Sequence, residues 1–182
     1  MALTATVYNF DIDLADTDRG VYETLALRVA RHPSESEDYL LTRVLAYALE
    51  YVDGIEFSSG GLSNPDDPAI TVKDLTGAMR AWIEVGTPDA DRLHRASKVS
   101  PRVAVYVHKD PTQFLGRLAG ERIHRANALE IYAVDRALLV DLVNRLERRM
   151  NFSLSVSDRD LCLSIGSDTF TGSVARLPHV TT

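Results

Sequence analysis

Asp67 and Glu84 are the residues of this chain best spaced to hold a divalent cation. Ile70-Thr71-Val72-Lys73 and Arg80-Ala81-Trp82-Ile83-Glu84-Val85 alternate as the strands of a hairpin, with Asp74 to Ala78 as its turn. Ile70, Val72, Ala81, Ile83 and Val85 form an apolar side; Thr71, Lys73, Trp82 and Glu84 form the other. With the turn centred on Thr76-Gly77, Glu84 stands opposite Ala69 and Gly86 opposite Asp67. Residues two apart on one face, or diagonal across strands, lie roughly 7 Å from each other. Two carboxylates so placed suit Mg²⁺ or Mn²⁺, and metal-dependent phosphodiester cleavage uses such hard oxygen ligands. Asp66 and Asp74 are the alternatives for the first carboxylate, but Asp74 stands roughly 16 Å along the ladder from Glu84. The plainer reading is a solvated strand face and ordinary turn chemistry.

The elements that must position these acids follow from pattern. Ala5 to Leu14 alternates as a strand. Asp18 can cap a helix carrying Tyr22, Leu25, Leu27, Val29 and Ala30, ending near Pro33. Ser34 and Glu37 read as a capping box opening an amphipathic helix that runs to about Val52. Ile55 to Ser58 is a short strand, and Ser59 to Pro68 a Gly/Ser/Asn/Pro loop. Beyond the hairpin, Asp89 caps a helix through Lys98, followed by strand Val103 to Val107 and a helix over Pro111 to Arg122. Leu129 to Val134 is a strand, Ala137 to Met150 a helix, and Phe152 to Ala175 a β-meander. The expected architecture is α/β (α+β), with a central mixed sheet. A small antiparallel side sheet joins the first strand to the meander.

Length and composition fit one globular domain over 1–182: 182 residues, 45% hydrophobic and 25% charged. The start of the chain shows no basic region followed by an apolar run, and no segment approaches the ~20 apolar residues of a membrane span. The expectation is a cytoplasmic protein with no membrane partner. The lone Cys162 excludes an internal disulfide and is expected to be buried. A formal net charge of −6 opposes bulk attraction to nucleic acid. The cations are not evenly spread, however. Arg92, Arg95, Lys98 and Arg102 occur without an intervening acid, and Arg117, Arg122 and Arg125 follow. Arg145, Arg148 and Arg149 are expected to close a helix, where they complement its dipole.

The order helix, strand, strand, strand, helix, strand over Glu35 to Val107 is that of the PD-(D/E)XK, restriction-endonuclease-like core, here spanning about 34–134. The residues themselves resemble the YaeQ family: Ala30-Arg31-His32-Pro33-Ser34-Glu35, Phe57-Ser58 with Gly61-Leu62, Asp66-Asp67-Pro68, Trp82-Ile83-Glu84-Val85-Gly86 with Pro88-Asp89, and Arg92 with Arg95-Ala96. The resemblance spans essentially the whole chain. It implies a divergent PD-(D/E)XK-like fold in a small bacterial protein of a family whose activity is unsettled.

The site that the resemblance implies joins Asp67 and Glu84 with Glu35, the extra acid of the first core helix, around Mg²⁺ or Mn²⁺. The lysine of an E-x-K motif is missing, since position 86 is Gly86. Arg95 stands where relatives carry a lysine, and Lys98, one turn on, is the substitute. Lys73 is too far along the strand from the position opposite Glu84, about 13 Å. Arg92, Trp82, His32 and Ser58 are the expected substrate-binding residues, with Trp82 suited either to stack on a base or to pack. Two functions follow from this set. One is a metal-dependent nuclease or phosphodiesterase acting on nucleic acid. The alternative is a non-catalytic regulator that keeps the fold and binds nucleic acid or protein.

Overall fold

A computed structural model describes residues 4–59, 64 and 66–180. The chain divides into two compact units, Met1–Tyr51 with Val134–Val174, and Val52–Ala133 with Ala175–Thr182. The fold is mixed α+β. Among the described residues no helix is long and apolar enough to cross a membrane.

In the first unit the strands β1 (Thr6–Asp16), β2 (Val21–Arg31), β8 (Arg149–Ser157), β9 (Asp160–Ile165) and β10 (Asp168–Arg176) follow the order β2-β1-β8-β9-β10. The first strand and the meander do share a sheet, but β1 pairs parallel with β8, so that sheet is mixed rather than antiparallel. The segment expected as a helix from Asp18 is instead β2, antiparallel to β1 with Ile12 opposite Leu25. Leu25, Leu27 and Val29 are buried while Ala26, Arg28 and Ala30 are exposed. That is a period of two in a segment of good helix formers, and the eleven-residue partner strand overrides local propensity. Asp18 caps no helix. Its carboxylate accepts from the backbone N–H groups of Asp158 and Arg159 at 2.7 and 2.9 Å. Those two residues are left-handed, at φ 51° and 63°, in the β8–β9 turn.

The helices α1 (Glu37–Leu49) and α4 (Arg136–Asn144) pack on each other in this unit. The cap of α1 is Ser36, whose Oγ accepts from Tyr39 N, so Glu35 precedes the helix instead of lying in its first turn. The expected helix to Met150 stops at Asn144, because Arg149 and Met150 already belong to β8. Of the arginines beyond that helix, Arg145 pairs with Asp168 and Arg148 lies over the Tyr8 ring. Gly172 lets β10 approach α4 closely, since a Cβ there would lie 2.7 Å from Leu138 Cβ. Cys162 is half-buried, not buried.

The second unit carries β3 (Ile55–Phe57), β4 (Ile70–Lys73), β5 (Met79–Val85), β6 (Val103–Val107) and β7 (Glu130–Val134) in sequence order across the sheet. β3, β4 and β5 are antiparallel; β5, β6 and β7 are parallel. Ile70 pairs with Ile83, the register that puts Glu84 opposite Ala69 as expected. The crossover from β5 to β6 is α2 (Ala90–Val99), capped by Asp89 Oδ accepting from Arg92 N. It covers the second face of β5, so that strand is buried on both sides. Trp82, Leu93, Ala96, Val105, Phe114 and Ile131 belong to one apolar cluster. α3 (Pro111–Leu118) ends four residues before the expected Arg122, at Ala119 and a left-handed Gly120.

Candidate functional site

Glu84 is only 4% exposed. Alternation puts it on the face away from Ile83, and α2 closes that face over it. Its Oε1 accepts from Trp82 Nε1 at 2.7 Å and from Arg92 Nε at 2.6 Å. Arg92 also donates to the carbonyl of Asp67 at 2.7 Å, and its guanidinium lies 5.9 Å from the Trp82 ring centre. Burial pushes the Glu84 carboxyl above its ordinary range, while the bonds from Arg92 and Trp82 hold it down. Arg92 and Trp82, expected to bind substrate, therefore serve the interior. Trp82 is 6% exposed and has no face open for stacking on a base.

Arg92 brings the Asp67 backbone, not its side chain, to the Glu84 pair. Asp67 Oδ2 accepts from Asn64 Nδ2 at 2.6 Å, and Asp66 N donates to Asn64 Oδ1, closing a local turn. Asp74 is a turn residue: Thr76, Ala78 and Arg80 all donate to its carboxylate. The Thr76 hydroxyl leads in lowering its pKa, to about 2. Lys73 pairs with Glu56. Gly86, where an E-x-K motif needs lysine, has φ 99°, a conformation a lysine there would adopt only under strain.

Glu35, in the first unit, is 2% exposed and paired to Arg43, whose Nη2 donates to Oε2 at 3.0 Å and to Ala30 O at 2.8 Å. Burial raises the Glu35 carboxyl, with Arg43 opposing, and Oε1 makes no hydrogen bond among the described residues. His32 is exposed and bonded through Nδ1 to Ser34 Oγ at 2.6 Å. Ser58 donates its backbone N–H to Ala69 O, and its buried hydroxyl makes no bond among the described residues. Half of the Gly/Ser loop, at 60–63 and 65, lies outside the described residues.

These donors do not fit a divalent cation in this arrangement. Glu84 is committed to an arginine and an indole, Glu35 to another arginine, and Asp67 to Asn64. Among the described residues no three of His, Cys, Asp and Glu converge to hold a metal ion. The cations fare differently. Arg95 and Lys98 are exposed on α2. Lys98 shares a cleft with His94, Arg122 and His124, a grouping the sequence reading missed. Its only local signal was His94 and Lys98 at i, i+4.

The fold and site thus define a mixed α+β protein with a buried, arginine-neutralised acid on its central hairpin. The chain belongs to the YaeQ family, whose model, described as "YaeQ protein", matches residues 1–174. It is 29% identical over 165 residues to the "Uncharacterized protein YaeQ" of Salmonella typhi, covering 90% of this chain and 91% of that one. The Escherichia coli (strain K12) protein of the same description is 28% identical with the same coverage. The crystal structure of YaeQ protein from Pseudomonas syringae is similar, with a TM-score of 0.85, 31% identity, and 95% and 96% of the two chains covered. That from Xanthomonas axonopodis pv. citri has a TM-score of 0.82 at 29% identity, covering 97% and 99%.

Proposed function

We propose that this protein is a non-catalytic, cytoplasmic nucleic-acid-binding protein that retains a PD-(D/E)XK-like core order while using its hairpin acid for folding. The observation that carries this reading is the bonding of Glu84 to Arg92 and Trp82. A carboxylate whose Oε1 is held by two internal donors at 2.6 and 2.7 Å, and which is only 4% exposed, already has its charge neutralised by Arg92, and that guanidinium repels a cation brought beside it. The element order α1-β3-β4-β5-α2-β6 supports the kinship with the nuclease core, and the exposed Arg95 and Lys98 supply cations for a phosphate backbone. A net charge of −6 confines such binding to local clusters of cations, with a salt dependence set by the number of phosphates they contact.

Calorimetric titration with Mn²⁺, alongside salt-dependent oligonucleotide binding, tests this reading. The expected outcome is no Mn²⁺ binding that depends on Glu84. Association with the oligonucleotide should weaken with salt, and Lys98→Ala should lower the slope by about one contact. Mn²⁺ binding lost in Glu84→Ala would restore the nuclease reading.

A further inference from the structure

Between α2 and the loop after α3 lies an open cleft of about 510 Å³, lined by His94, Lys98, Arg122, Ile123 and His124. Its two walls are tied together by specific bonds. Arg125, left-handed at φ 50°, donates from Nη2 to the carbonyls of Ser97 and Ser100, the latter at 2.8 Å. These are carbonyls at the C-terminal end of α2, which otherwise lack helical partners. Higher in the cleft, His124 N donates to His94 Nδ1 at 3.1 Å. An Nδ1 that accepts leaves the ring proton on Nε2, so His94 retains an N–H donor. The two imidazoles meet nearly edge to face with centroids 6.4 Å apart. The buried Ile123 anchors the loop.

The charges here differ from the cations that pair within this unit. Lys73, Arg80, Arg92 and Arg102 pair with Glu56, Asp74, Glu84 and Glu130. Lys98 and Arg122 make no ion pair among the described residues, although acids outnumber bases 26 to 20 in this chain. Among the described residues no carboxylate lines the cleft. The nearest acids in sequence, Asp91 and Glu121, line a neighbouring depression with Arg117. Two unneutralised cations and imidazole N–H donors, fixed on a tied frame, make a preorganised receptor for a compact anion.

We propose that this cleft binds a terminal phosphate group. A phosphomonoester carries close to two negative charges at neutral pH and three acceptor oxygens. It therefore matches Lys98 and Arg122 together, whereas an internal phosphodiester carries a single charge. The group belongs either to a small phosphorylated metabolite or to the phosphorylated end of a strand. Only the second source rests on the nucleic-acid reading above.

Amide NMR on the full chain tests the proposal at constant ionic strength, with inorganic phosphate, adenosine monophosphate, adenosine, and one oligonucleotide with and without a terminal phosphate. Phosphate and adenosine monophosphate should give saturable shifts at Lys98, Arg122 and His124, and adenosine none. Lys98→Ala and Arg122→Ala should each weaken binding about tenfold. Both side chains are exposed, so neither variant endangers the fold. Tighter binding of the phosphorylated oligonucleotide identifies a strand end as the source. Adenosine monophosphate binding without any oligonucleotide binding assigns it to small phosphomonoesters, and then the nucleic-acid reading fails while the cleft stands. No saturable shift with phosphate or adenosine monophosphate, or binding by both variants as tight as by the wild type, overturns the proposal. Oligonucleotide binding indifferent to the terminal phosphate would in that case leave the nucleic-acid reading intact.

Discussion

Arg92 and Lys98 both stand on α2, yet their surroundings are opposite. Arg92 turns toward β5, where its guanidinium is shared between the Glu84 carboxylate, the Asp67 carbonyl and the face of Trp82. Lys98 is exposed beside Arg122 and two histidines, with no carboxylate in the cleft among the described residues. Charge in the interior of this protein is balanced internally, at Glu84 as at Glu35, because an unpaired buried ion is costly. Charge along the cleft is left unbalanced, which costs little in water and leaves it available to an external anion. The acid that looked catalytic belongs to the first kind, and Lys98, one of the cations expected to assist it, to the second.

The comparison breaks most visibly through stability. Glu35→Ala removes the carboxylate that neutralises Arg43, whose side chain is 4% exposed, and should cost about 3–5 kcal/mol by denaturant unfolding. A loss below about 1 kcal/mol would show that the pair is not a folding element. Glu84→Ala leaves Arg92, 21% exposed at the side chain, and the Trp82 N–H without their shared acceptor, and should cost about 2–4 kcal/mol. Glu84→Gln keeps an acceptor for the indole and should cost about half as much. Unchanged or raised stability in Glu84→Gln would instead signal a repelling acid cluster, as at a metal site without its metal.

Lys98→Ala and Arg122→Ala sharpen the contrast from the other side. Neither should move the unfolding free energy by more than about 0.5 kcal/mol. A larger loss would mean that these cations are structural after all. The smallest effect is at the hairpin turn. Asp74 should titrate near pH 2 in carboxyl NMR, below its ordinary 3.8. Because the folded value is the lower one, its contribution to stability is present above about pH 3.8 and is lost as pH falls through about 2. Thr76→Val should raise that value. A midpoint already near 3.8 in the wild type would remove the turn network.

Much of the second unit was legible because its signals are local. The turn at Asp74 to Ala78, the alternation on either side of it, and the Asp89 cap together fix the hairpin and α2, including the register of Glu84 opposite Ala69. What the alternation of Thr71, Lys73, Trp82 and Glu84 could not show is that α2 would cover that face and bury the acid. The residues of β2 favour a helix, and only pairing with β1 across the turn at 17–20 makes them a strand. Glu35 looked like a helix-first-turn acid because Ser34 and Glu37 mimic a capping box, while Ser36 is the true cap. The cleft was invisible since Arg122 and His124 meet α2 only because α3 stops at Leu118 and Arg125 turns back onto Ser97 and Ser100.

The most direct test of the central claim, that Glu84 folds this protein rather than cuts for it, is strand cleavage in Mn²⁺. The purified full chain is incubated with single- and double-stranded oligonucleotides beside its Glu84→Ala variant, under conditions where both remain folded. The account predicts intact strands with both proteins. Cleavage by the wild type that disappears in Glu84→Ala would contradict it.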